Sequence, residues 1–95
     1  MTILQIEHPV RDFDAWKSAF DSDPVGREEG GVRRYRIYQR ADDPNYVIVD
    51  LELDGTAEAE AFLGRLRGLW SRAVAQGLIQ DPRARILEVA ETVDV

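Results

Sequence analysis

The run YVIVDLEL, residues 46–53, constrains the fold more than any other stretch of this chain. In an extended conformation Val47, Val49, Leu51 and Leu53 fall on one side, and Tyr46, Ile48, Asp50 and Glu52 on the other. A period of two is the signature of a strand, and an apolar face this regular has to be covered by another layer. The second face is mixed. Whether it meets water, a partner subunit or a substrate is the functional question that the sequence poses.

The covering layer is legible on both sides of that run. The spacing of Phe13, Trp16, Ala19 and Phe20 predicts a helix with Asp12 as its N-cap, closed by Asp21, Ser22, Asp23 and Pro24. Phe62, Leu63, Leu66, Leu69, Trp70, Ala73 and Val74 predict a longer helix, capped by Thr56 and ended at Gly77. Strands are expected over 2–8, 32–40, 46–53 and 84–93. The stretch VGREEGG is a loop, and ADDPN, 41–45, is a hairpin turn. Strand, helix, strand, strand, helix, strand is the α+β, ferredoxin-like βαββαβ plan. Right-handed crossovers put both helices on one face of a four-stranded antiparallel sheet. Residues 1–95 are read as one such domain, with no internal linker.

The other sheet face then stays open. The second strand offers it one of two sets: Val32, Arg34, Arg36, Tyr38 and Arg40, or Arg33, Tyr35, Ile37 and Gln39. The first is favoured, because Tyr35 and Ile37 then join the helix-side core. It also sets arginines opposite Asp50 and Glu52, a mildly stabilising arrangement across a strand pair.

Charge and composition exclude several functions. A net charge of −6 argues against phosphate-neutralising nucleic-acid binding and against an anionic membrane surface. Zero cysteines rule out disulfides, Cys-ligated zinc and a thiol nucleophile, and one histidine rules out a multi-His metal site within the chain. A metal held by carboxylates is not excluded by composition, but no metal site is expected. The start MTILQIEHPV lacks a basic stretch followed by a long apolar one, and no segment reaches the ~20 apolar residues needed to span a bilayer. A cytoplasmic protein is the expectation.

Few side chains suit chemistry. His8 is the one imidazole, and its reference pKa of about 6.5 suits a general base. The ordinary role of a strand-end histidine before Pro9 is structural and partly exposed. Asp50 and Glu52 form an acid–base pair only if burial raises one pKa; pairing with arginine is the simpler role. Tyr38 and Tyr46 can offer hydroxyls to a phenolic ligand, and Arg36 can grip an anion through two parallel hydrogen bonds. Sheet-face packing and pairing with carboxylates account for all three without a ligand. Trp70, like Trp16, is first a core anchor and second a platform for a flat ligand.

The layout resembles a known family. A first helix carrying Asp12, Phe13, Trp16 and Phe20, the hairpin DDPNYV (42–47), and a second helix opening on AEAEAFL (57–63) are similar to the dimeric α/β-barrel superfamily. Small antibiotic-biosynthesis-monooxygenase-like and polyketide "cyclase"-like proteins belong to it. The resemblance covers nearly the whole chain, and its motifs are structural rather than catalytic. It implies a homodimer closed through the open sheet faces, with a cavity between sheet and helices or between sheets. It implies a cofactor-free monooxygenase or cyclase-like enzyme acting on an aromatic or polyketide-like compound, without metal, haem or flavin. His8, Asp50 and Tyr38 would then move protons, and Arg36, Tyr46, Glu52 and Trp70 would bind the ligand. Some haem-degrading members use a first-strand Asn, a second-helix Trp and a later His. Here Trp70 matches, Gln5 replaces the Asn, and no His follows His8. The competing class is a non-catalytic dimeric binding or accessory module.

Overall fold

Two central strands carry the molecule. In the computed structural model, which describes residues 1–95, β1 (Thr2–Pro9) pairs antiparallel with β3 (Asp43–Leu53) from Thr2↔Leu53 to Pro9↔Tyr46. β2 (Arg34–Arg40) flanks β3 and β4 (Arg83–Glu88) flanks β1, so the sheet runs β2-β3-β1-β4. Helices α1 (Phe13–Asp21) and α2 (Thr56–Ala75) complete the βαββαβ order of a ferredoxin-like fold. No helix is long and apolar enough to cross a membrane.

The core follows the period-two pattern. Leu4, Ile6, Val47, Val49, Leu51 and Leu53 are buried on the helix side, against Trp16 of α1 and Phe62, Leu63, Leu66 and Trp70 of α2. At about 25 cal/mol per Å² of apolar surface, this contiguous cluster is the main favourable term holding the helices down. Tyr35 and Ile37 share this face, but β2 is an edge strand, and Tyr35 stays 41% exposed while its ring meets Phe20 edge-on at 5.1 Å.

Local chemistry fixes the ends of the helices. Asp12 accepts from the Ala15 N–H at 2.9 Å, a side-chain N-cap. Asn45 Oδ1, reaching across from β3, takes the otherwise orphaned Phe13 N–H at 3.0 Å. At the C-terminus of α2, Gly77 adopts φ 73°. The Leu78 N–H reaches Ala73 O and the Gly77 N–H reaches Val74 O, a Schellman closure.

Several boundaries differ from the sequence reading. The hairpin turn is only Ala41–Asp42: β3 already begins at Asp43, and a bulge opposite the Gln39–Arg40 step leaves Pro44, Asn45 and Tyr46 without a partner on β2. Proline is tolerated there because the bulge interrupts the ladder. β2 starts at Arg34, and Val32 instead packs against the core. The N-cap of α2 is Gly55, with no side-chain cap, and Thr56 is the first helical residue. β4 ends at Glu88, so the expected strand over 84–93 is shorter, because residues beyond Val89 meet no neighbouring strand.

The loop between α1 and β2 is ordered by tight contacts. Arg65 donates to Val25 O at 3.2 Å, and Gly30 lies against the Phe62 ring. A Cβ at Gly30 would fall within the van der Waals envelope of that ring. Gly30→Ala is therefore expected to cost about 1–3 kcal/mol. Gly64→Ala, in an open stretch of α2, should instead add about 0.5–1 kcal/mol. Urea unfolding of the two variants beside the parent chain checks both signs.

Candidate functional site

Parity in β1 decides where the only imidazole goes. Leu4, Ile6 and His8 alternate with Gln5 and Glu7, so His8 shares the helix-side face with two core residues. It is 1% exposed, not the partly exposed strand-end residue that its neighbour Pro9 suggested. Its ring sits between two indoles, 5.9 Å from Trp16 and 6.5 Å from Trp70, both edge-on. Nδ1 lies 3.2 Å from Pro9 O. A carbonyl oxygen only accepts, so Nδ1 carries the proton and Nε2 is the free lone pair of the neutral ring.

That lone pair faces empty space. A cavity of about 90 Å³ lies between the sheet and both helices, and His8 lines it together with Ile6, Trp16, Phe20, Phe62 and Trp70. No buried side-chain nitrogen or oxygen lacks a partner. Nε2 meets no protein donor, so it opens onto the cavity. Apart from His8, the only polar side chain in the lining is Arg27, from the α1–β2 loop. Burial holds the His8 pKa below its ordinary value, and the backbone carbonyl contacts only partly oppose this. The result is a neutral imidazole against an apolar cavity.

The other singled-out side chains lie on the opposite, open face. Asp50 Oδ1 accepts from Gln5 Nε2 at 2.9 Å, and Asp50 Oδ2 accepts from the Tyr38 hydroxyl at 3.1 Å. Arg85 donates to Gln5 Oε1 and to Glu7 Oε1, the latter at 2.6 Å. Tyr38, Asp50, Gln5 and Arg85 thus form one hydrogen-bonded row across all four strands. The Arg85 bond holds the Glu7 carboxyl below its usual range, against a smaller opposing effect of burial. Glu52 pairs with Arg34 at 2.5 Å. Arg36 stands opposite Asp50 in register but forms no ion pair with it; Gln5 and Tyr38 are the donors to that carboxylate. Tyr46 lies under the Arg40 guanidinium, 5.3 Å from its centre.

The sheet therefore divides the candidates. His8 and Trp70 come together in the cavity; Asp50, Tyr38, Arg36, Tyr46 and Glu52 gather on the far side and cannot act on the same atom as His8. No group of three His, Asp or Glu side chains is placed to hold a metal ion. Trp16 as a wall for His8, and Arg27 at the rim, were missed. The alternation of Leu4, Ile6 and His8 was the available signal for the first, whereas nothing local in VGREEGG marks Arg27 as pointing to a cavity.

Solved structures share this architecture. A Deinococcus radiodurans protein provisionally assigned as an antibiotic biosynthesis monooxygenase superposes with TM-score 0.72 at 15% identity, covering 100% of this chain and 98% of that one. SnoaB from Streptomyces nogalater, a cofactor-independent oxygenase, gives 0.74 at 12% identity over 97% and 95%. MhuD, with two manganese protoporphyrins in each active site, gives 0.72 at 10% identity over 100% of both chains. At these identities the likeness establishes the fold. No family model and no curated protein sequence matches the chain.

The depressed His8 pKa fixes a sign. The unfolded chain takes up a proton near pH 6.5, the folded one only below that. Stability attributable to His8 is thus complete above pH 6.5 and declines as pH falls toward the folded-state pKa. Proton NMR of the His8 ring should show a midpoint below 6.5, and His8→Gln should flatten that part of the stability–pH curve.

Proposed function

We propose that this chain is a cofactor-independent oxygenase of small aromatic or polyketide-like compounds, with His8 as its base. The observation that carries the reading is the free Nε2 of a neutral imidazole opening onto an apolar cavity walled by Trp16 and Trp70. The shared fold of a cofactor-independent oxygenase supports it.

The chemistry follows from the site. Substrates whose carbanion or phenolate is stabilised by an aromatic ring can be activated by proton removal alone. Nε2 takes a proton from an acidic C–H, leaving the electron pair on the substrate. That carbanion gives one electron to O₂, the radicals recombine as a C–O bond, and the resulting peroxide loses water to leave a new carbonyl. For anthrone the balance is C₁₄H₁₀O plus O₂ giving anthraquinone, C₁₄H₈O₂, plus H₂O. The proton held on Nε2 leaves with the departing water. A positioned base of this kind contributes roughly 10²–10⁴-fold. Excluding bulk water keeps the imidazole neutral and ready to accept.

A porphyrin does not suit this site. Gln5, which stands where the haem-degrading members carry Asn, turns its amide to the open face instead of the chamber, and the chain has no second imidazole. The open face has a different role in this reading: it is the surface through which two copies associate. Its Tyr38–Asp50–Gln5–Arg85 row satisfies the polar groups in advance, so burial against a second sheet leaves few of them unpaired. Asp50, Tyr38, Arg36, Tyr46 and Glu52 are interface residues on this account.

The test uses anthrone in aerated buffer, following oxygen uptake and quinone absorbance. Wild type should exceed the buffer rate, and His8→Gln should lose about 10²-fold or more while still folding. Equal rates for the two proteins would sink the assignment of the base. Anthrone bound without turnover would favour the binding-module reading. For the second face, Asp50→Ala should weaken the dimer in sedimentation velocity and leave anthrone turnover intact.

A further inference from the structure

The second polar group of the cavity has a grip to spare. Arg27 reaches the lining from the ordered α1–β2 loop, and its side chain is only 16% exposed. Its guanidinium stacks 4.0 Å from the Phe20 ring centre and 5.0 Å from that of Tyr35. Nη1 donates to Phe20 O at 2.8 Å and lies 3.6 Å from Asp23 Oδ1. The Asp23 carboxylate also accepts the Arg27 backbone N–H, which ties it to the loop. The group is thus fixed in place before any ligand arrives.

The guanidinium's own contacts with Phe20 O and Asp23 use one nitrogen, Nη1. Nε and Nη2 have no protein acceptor, and no buried polar atom is left unpartnered, so this edge is accessible. The same edge of Arg33 holds the Asp54 carboxylate, with Nε on Oδ1 at 3.3 Å and Nη2 on Oδ2 at 2.7 Å. Guanidinium donors arranged in this way match a carboxylate oxygen for oxygen. His8, Trp16, Phe20 and Arg27 follow one another as a row of neighbouring groups, at 5.9, 5.1 and 4.0 Å. The base therefore stands at one end of an aromatic wall and the free fork at the other.

We propose that Arg27 determines specificity by binding a carboxylate on the substrate, which makes the preferred substrate class an aromatic carboxylic acid with its ring against Trp16 and Phe20. This rests on the cavity being a ligand site, as in the function proposed above. A net charge of −6 and the nearby Asp23 both disfavour anions at a distance. Discrimination must therefore come from contact with the fork and not from the long-range field.

Trp16 and Trp70 are the only two tryptophans and both line the cavity, so intrinsic fluorescence reports occupancy. Benzoate and its uncharged isostere benzamide are the probes, each a single ring carrying one polar group. Benzoate should bind wild type about tenfold more tightly than benzamide, as charge-assisted hydrogen bonds imply. Arg27→Gln should erase that preference, lowering benzoate affinity by more than benzamide affinity. Arg27→Lys, which keeps the charge but not the fork, should recover little of it. On the unmodified protein, benzoate but not benzamide should shift the Arg27 Nε–H resonance. Equal affinity of the two probes for wild type would overturn the role of Arg27 and keep the cavity as a site. Absence of quenching by either probe would overturn both.

Discussion

The alternation of β1 and β3 is the constraint on which everything else depends. Because successive side chains of a strand point to opposite faces, a single step along β1 separates two chemical worlds. Glu7 lies on a polar face and is bonded to Arg85; His8 lies in an apolar chamber between two indoles. Slipping the register by one residue would exchange them, and would also turn Leu4, Ile6, Val49 and Leu51 out of the core. The apolar surface at stake makes that slip costly. The position of the candidate base is therefore enforced by the same burial that holds the fold together.

Much of this was legible in the residues. The valine and leucine face of β3, the Asp12 cap, the glycine that ends α2 and the βαββαβ order all follow from short-range chemistry, and the structure shows each of them. The choice of Arg34, Arg36 and Tyr38 for the open face also holds, since they stand opposite Glu52, Asp50 and Ile48. The misplacements have a common origin, because they depend on partners distant in sequence. Asn45 has the composition of a turn residue, yet its amide serves a helix 32 positions away. The last strand stops where β1 no longer lies beside it, and no local property of VAETV announces that.

The site divides along the same line. His8 and Trp70 were both singled out, but as members of different sets. Sequence separation gave no sign that they face one cavity while Asp50 and Tyr38 face away from it. Parity alone could have placed His8 with Leu4 and Ile6. Proximity to Pro9, which marks the end of the strand, was the more conspicuous cue and pointed toward solvent. Arg27 is the harder case. It sits in a loop rich in Gly and Glu, and only the folding of that loop over Phe62 brings its side chain against Phe20.

The two outer strands carry a consequence of their own. β2 presents Arg34, Arg36 and Arg40, and β4 presents Arg83 and Arg85, along the margins where backbone groups have no neighbour. Adding another copy strand by strand would strip water from these arginines and from the carboxylates that pair with most of them. Bare sheet margins are the usual template for open-ended fibrous growth, and cations along them are a common guard. Here the guard occupies both margins, while the broad face between them carries its own compensating hydrogen bonds. Growth of this protein into ribbons is thereby disfavoured.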